Sequence, residues 1–135
     1  MIPMIQFQQA GKRYRDTYAL KPLTLDIMPG EFISLVGSSG GGKTTMLKLM
    51  NGLLLPDTGT VTVMGKDTKT VDLIALRRQI GYVIQGAALF PHLTVADNIG
   101  YVPCLSKETL SAERLQQLMQ LVDLPVELLT RFPQS

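Results

Sequence analysis

An α/β fold is the class this sequence predicts, and three observations carry the prediction. A glycine-rich loop, Gly37-Ser38-Ser39-Gly40-Gly41-Gly42-Lys43-Thr44, follows directly on a short apolar run, Glu31 to Val36, of buried-strand length. Apolar residues recur after the loop at helical spacing, at Met46, Leu49, Met50, Leu53 and Leu54. Ahead of it, Ile5 and Phe7 alternate with Gln6 and Gln8, and Leu23, Leu25 and Ile27 with Thr24 and Asp26, the period of a half-exposed antiparallel sheet.

The elements follow in order. Between the first two strands, Gly11 to Asp16 is polar enough to form a connecting loop, and Pro29-Gly30 signals a turn. Strand, glycine loop and helix then succeed one another from Glu31 to Leu54. Pro56-Asp57 and Gly59 break the helix; Thr60 to Val63 alternates as a strand, and Gly65-Lys66-Asp67 turns the chain. Val71 to Gln79 carries Leu73, Leu76 and Ile80 in helical phase, and Tyr82 to Gln85 reads as a strand. Gly86 to Leu93 suits a loop. Thr94-Val95-Ala96-Asp97 has capping-box spacing for a helix to about Tyr101, and Ser111 to Leu124 places Leu115, Leu118, Met119 and Val122 on one helical face.

Composition narrows the function classes. The 135 residues have room for one domain, and 45% apolar with 18% charged residues excludes disorder, collagen and a coiled-coil rod. Thirteen Lys and Arg against eleven Asp and Glu leave a net charge of +2, too small a field to argue for nucleic acid. The single cysteine, Cys104, forms no internal disulfide and has no metal-spaced histidine near it; a reducing compartment and a small, buried or half-buried role are the expectations. No apolar run approaches the roughly 20 residues of a membrane span.

The chemistry lies in the loop. Gly37 to Thr44 satisfies G-x-x-x-x-G-K-[ST] in full, a match expected by accident in a chain of this length with a probability on the order of half a percent. Glycines let backbone N–H groups converge on phosphate oxygens, and the helix that follows presents its positive end. Lys43 adds a mobile charge for terminal phosphates, and the Thr44 hydroxyl suits Mg²⁺. A plain surface turn would rarely carry four glycines in six residues, since each costs about 0.5–1 kcal/mol of backbone entropy relative to alanine in regular structure.

The flanking residues add a resemblance. Lys12-Arg13-Tyr14, the loop through Thr45, Asn51-Gly52, Pro56 to Gly59, Arg77 to Gln85 and Leu89 to Val95, in that order, resemble the nucleotide-binding subunit of ABC transporters from about Met4 to Ser135. The resemblance implies a P-loop NTPase of the ABC ATPase type, with an N-terminal antiparallel β subdomain, that binds ATP and Mg²⁺. It assigns phosphate binding to Gly37, Ser38, Ser39, Gly40, Gly41, Gly42, Lys43, Thr44 and Thr45, with Lys43 and Gln85 in catalysis and Thr44 and Gln85 at the metal. Tyr14 is similar to the family's adenine-stacking aromatic, with Tyr18 as the competing candidate. Gln85 is similar to the glutamine that reaches Mg²⁺ or the attacking water, and the Gln85–Pro91 region to the loop that contacts the transmembrane permease. Ser38 and Gly41 depart from the usual loop pattern, adding flexibility expected to weaken affinity somewhat, and Gly86 after Gln85 is a further departure. The wording around Tyr82 to Pro103 is similar to importers of quaternary-amine osmoprotectants such as glycine betaine, choline or proline betaine.

Other residues are read more plainly. His92 is expected at a surface or interface rather than in catalysis, and Arg77 and Arg78 as solvated or ion-paired. The family's L-S-G-G-Q signature, Asp-Glu strand and switch histidine do not occur in these residues. The expectation is therefore an N-terminal portion of a nucleotide-binding domain, residues 1–135, truncated before the signature. It would bind ATP, would need a full-length second nucleotide-binding subunit for a productive dimer, and would sit at the cytoplasmic face of the membrane through its partners. Without the Asp-Glu pair, Ile33 to Val36 and Tyr82 to Gln85 are expected to lack a bridging strand. A non-catalytic nucleotide-binding fragment, regulatory or decoy, is the alternative, and an ABC protein acting on nucleic acid finds no basic patch to support it.

Overall fold

The computed structural model describes residues 2–86 and 88–134; Met1, Ala87 and Ser135 lie outside the described residues. The chain forms two compact units, one ending at Gly81 and the other starting at Tyr82.

In the first unit, β1 (Ile5–Tyr14) and β2 (Thr17–Ile27) form a long hairpin, followed by α1 (Lys43–Met50), β3 (Thr58–Val63), β4 (Lys66–Asp67) and α2 (Leu73–Arg78). The sheet is antiparallel throughout, in the order β2-β1-β3-β4. Phe7 faces Leu25 on one side and Val61 on the other, and Ile5 faces Ile27 and Val63, so the period-two pattern puts one apolar stripe on one face. Phe7, Ala10, Met46, Leu49 and Val61 form the core, where α1 lies on that stripe.

Pure alternation from Phe7 would point Gln9 inward and Ala10 outward; Ala10 is instead fully buried and Gln9 exposed. A register shift between Phe7 and Ala10, with Gln9 at φ 47°, resets the phase. Gly59 accommodates it: a Cβ there would lie 2.2 Å from the carbonyl oxygens of Gln8 and Gln9, and its φ is +63°.

Three expectations about the strands are corrected. Gly11 to Tyr14 is not a loop but the far end of β1, because pairing with β2 supplies its backbone partners whatever its polarity. Glu31 to Val36 forms no strand: its backbone joins no sheet, Phe32 and Val36 are 94% and 92% exposed, and only Leu35 packs on the core. Tyr82 to Gln85 is likewise unpaired and exposed. An apolar run becomes a strand only where a neighbouring strand takes up its N–H and C=O groups, and none among the described residues does so here.

The second unit contains α3 (Val95–Leu105), α4 (Ala112–Leu121) and a 3₁₀ turn at Val126–Thr130. The capping box at the start of α3 forms as expected: the Thr94 hydroxyl accepts from the Asp97 amide, and the Asp97 carboxylate accepts from the Thr94 amide. The helix runs past Tyr101 and contains Pro103, which falls close enough to its end that little of the ladder is lost. Ser111 caps α4, and Met119 is its buried residue. Val122 falls outside the helix and is 61% exposed. Cys104 is exposed, a correction to its expected burial.

Candidate functional site

The glycine loop joins the unpaired Glu31 to Val36 segment to α1. Its tip is a tight turn in which the Gly41 amide donates to the Ser38 carbonyl at 3.1 Å and Gly40 takes φ +81°. Gly42 closes the loop at φ +83°, and a Cβ there would lie 2.5 Å from the Ala19 carbonyl oxygen of β2. The loop is thus seated against the hairpin at a point where only glycine fits.

Lys43 folds back over the loop. Its ammonium donates to the Gly37 carbonyl at 2.8 Å and to the Ser38 carbonyl at 2.6 Å. An ammonium has three N–H groups, so one remains for an incoming oxygen. At the start of α1 no side chain caps the helix and no acidic residue stands in the first turn. Helix geometry leaves the amides of Lys43, Thr44 and Thr45 without intrahelical acceptors, so three donors and the positive end of the dipole collect beside the ammonium. Thr44 is exposed there and Thr45 half-buried. Such a cluster of donors is satisfied by an anion with several oxygens.

The hairpin contributes two aromatics. Tyr14, at the end of β1, is 54% exposed, with the Lys12 ammonium 5.7 Å from its ring centre. Tyr18, on β2, is 40% exposed, with the Arg13 guanidinium 5.0 Å from its ring centre. An open cleft of about 430 Å³ runs between Tyr18 to Leu23 and the Gly40–Gly41 turn; Tyr14 does not line it.

Asp57 anchors this end of the sheet. It accepts from the Arg13 amide at 2.8 Å and pairs with Lys12 at 3.0 Å, and its own amide donates to the Gly11 carbonyl. The Arg13 amide first, then Lys12, hold its carboxyl below the usual carboxylate range. In the sequence Asp57 reads as a helix breaker and as part of the Pro56 to Gly59 segment, with no sign of these partners. Arg77 is another residue whose role sequence missed: its guanidinium donates to the Gly52 carbonyl at 3.3 Å, so it binds the turn that ends α1 rather than being merely solvated.

Gln85 belongs to the second unit, where it is exposed and followed by Gly86 at φ +91°. Of the Gln85–Pro91 region, Ala87 lies outside the described residues. Downstream, one side chain organises the entry to α3. The Asn98 amide accepts from the Phe90 amide at 2.7 Å and donates toward the carbonyls of Phe90, Leu93 and Thr94. Phe90 packs on Tyr101 at 4.6 Å and on His92 at 5.9 Å between ring centres, so His92 is part of an aromatic cluster. Only the bond to the Thr94 carbonyl, one turn back, is of the local kind that sequence spacing signals; those to Phe90 and Leu93 depend on the path of the loop.

A metal held by protein side chains alone is not supported: no group of three or more His, Cys, Asp or Glu is placed to bind one among the described residues. None of the described helices is long and apolar enough to cross a membrane.

Comparison with known proteins places these features in context. A family model described as ABC transporter matches residues 20–134. The carnitine transport ATP-binding protein OpuCA of Listeria monocytogenes serotype 1/2a (strain 10403S) is 44% identical over 133 residues, covering 96% of this chain and 34% of that protein. The glycine betaine/carnitine/choline transport ATP-binding protein OpuCA of Bacillus subtilis (strain 168) is 43% identical, with 96% and 35% covered. Among solved structures, the dimeric post-hydrolysis state of the ATP-binding cassette MJ0796 bound to ADP and Pi superposes with a TM-score of 0.84 at 31% identity, covering 97% of this chain and 62% of that one. The chain therefore spans about a third of the length of these two curated relatives.

Proposed function

The chain belongs to the ABC transporter family, and from that premise we propose that it forms the nucleotide-binding front of an ABC importer subunit that binds Mg-ATP to energise uptake of a quaternary-amine osmoprotectant. The observation that carries the reading is the Lys43 ammonium, held by the Gly37 and Ser38 carbonyls beside the open N-terminus of α1. The loop amides and those of Lys43, Thr44 and Thr45 bind phosphate oxygens, and the third N–H of Lys43 reaches the terminal phosphate. At the loop, the exposed Thr44 hydroxyl would hold Mg²⁺; a metal role for Gln85 is what the family resemblance implies. When bound, the ion neutralises charge on the phosphate oxygens. Tyr14 stacks on the base, as its resemblance to the family's aromatic implies.

Partners follow from the same family. The Gln85–Pro91 region, in which Leu89 is 54% exposed, contacts the permease at the cytoplasmic face of the membrane. A second nucleotide-binding subunit completes the productive dimer. Carnitine, glycine betaine and choline, the solutes of the two OpuCA relatives, support the choice of solute.

Two experiments test the proposal. Equilibrium dialysis with ATP is expected to show Mg²⁺-enhanced binding that Thr44→Ala reduces; binding that neither Mg²⁺ nor the substitution alters would contradict the Mg-ATP reading. In an assembled importer, Lys43→Ala is expected to abolish glycine betaine uptake; unchanged uptake would contradict the transport reading.

A further inference from the structure

The helix that carries the phosphate donors, α1, is a short rod of 8 residues, about 12 Å long. A helix this short is set in place by what holds it rather than by its own stability. At its N-terminal end the hold is Gly42, seated against the Ala19 carbonyl of β2, and midway it is the burial of Met46 and Leu49 in the core. At the C-terminal end, Gly52 closes the helix at φ +68°, its amide donating to the Leu49 carbonyl at 3.4 Å. The same turn lies directly on α2, since a Cβ on Gly52 would press on the Leu73 side chain. Asn51, only 3% exposed, shapes it further by accepting from the Leu53 amide at 3.0 Å.

Arg77 joins the turn from α2, its guanidinium donating to the Gly52 carbonyl at 3.3 Å. The helix it stands on is itself fixed, capped by the Asp72 carboxylate and anchored by the buried Leu76. The ion pair found among the described residues joins Lys12 to Asp57, so no carboxylate there neutralises Arg77. Its charge therefore stands at the negative end of the α1 dipole, where a cation is favourable. The positive end of the same dipole is the uncapped first turn that faces the phosphates.

We propose that Arg77 is a positioning residue for phosphate binding: by holding the Gly52 turn from α2, it fixes how the first turn of α1 meets the glycine loop. The proposal rests on the phosphate-loop reading above and gives Arg77 no contact with the ligand. Loop amides and helix amides converge on the same oxygens only while the start of α1 stays within about 0.5 Å of its place.

Calorimetric titration of the full chain with Mg-ATP and, separately, with magnesium tripolyphosphate reads the effect. Arg77→Met removes the charge and the donors but keeps an apolar stem to pack. It is expected to weaken both ligands equally, by about fivefold, the size of one lost hydrogen bond. Arg77→Lys, which restores a cation and a donor at the turn, is expected to recover most of the loss for both. The ³¹P resonances of bound ATP are expected to move in Arg77→Met and to return in Arg77→Lys, a change that lower overall stability alone does not produce. Unchanged affinity for both ligands in folded Arg77→Met overturns the proposal, as does a loss for ATP alone, or Arg77→Lys failing as badly as Arg77→Met. Arg77→Gln, neutral and two bonds shorter, carries the same outcomes if the methionine variant does not fold. Lys43→Ala serves as the control: if it changes neither ligand's affinity, the phosphate-loop reading fails. If Lys43→Ala weakens both ligands and Arg77→Met weakens neither, the role of Arg77 alone is overturned.

Discussion

Asp57 illustrates how one side chain ties the site to the fold. Its carboxylate receives the Arg13 amide and the Lys12 ammonium, and these hold its carboxyl below the usual carboxylate range. A carboxyl more acidic in the folded than in the unfolded chain adds stability above its unfolded pKa and loses it as pH falls through the folded one. The unaltered chain is therefore expected to melt above Asp57→Asn at neutral pH, the gap narrowing below about pH 4 and closing once Asp57 is protonated. Melting temperatures across pH for both proteins check this. Thr68 gives a prediction of opposite sign. Its side chain is fully buried, and its hydroxyl has no hydrogen-bond partner among the described residues. Thr68→Val replaces a desolvated hydroxyl by a methyl group of similar shape, so urea denaturation is expected to show equal or higher stability, by up to about 1 kcal/mol. At this scale Lys43 and the loop glycines were legible from spacing alone, because the motif is a local arrangement. Asp57 and Arg77 were not, since their partners lie 44 and 25 residues away in sequence.

Among the elements, the contact between the loop and the hairpin is the most demanding. Gly42→Ala forces a side chain into positive φ, at about 1–2 kcal/mol, and against the Ala19 carbonyl. It is expected to lower the melting temperature by several degrees, measurable by circular dichroism, and to weaken ATP binding as the loop shifts. The N-terminal ends of α3 and α4 were readable because Thr94, Asp97 and Ser111 act within one turn of themselves, whereas the C-terminal ends were not. Thr94→Ala is accordingly expected to cost about 1 kcal/mol in urea denaturation. Strand extents were less legible. Gly11 to Tyr14 is polar yet paired, and Glu31 to Val36 is apolar yet unpaired. Hydropathy encodes which groups leave water, whereas pairing depends on a neighbour drawn from any part of the chain. The bulge at Gln9 was hidden for a related reason: the opposing residue that permits it, Gly59, is distant in sequence.

For the molecule as a whole, the exposed apolar segments set the behaviour. Val36 and Val83 are 92% and 96% exposed, so in this chain Val36→Ser and Val83→Ser are expected to change stability by less than about 0.5 kcal/mol in urea denaturation. Sedimentation is expected to show less self-association in the double variant, because exposed apolar segments with unpaired backbone promote it. The family assignment was legible because several motifs recur in order, and the comparisons agree over most of the chain. The central claim is narrower: the loop and the first turn of α1 bind the phosphates of ATP through Lys43. Titrating Mg-ATP into the chain and into Lys43→Ala by calorimetry tests it most directly. Saturable binding of one ATP per chain, weakened at least tenfold by the substitution, is the predicted result; equal affinity in the two proteins would contradict it.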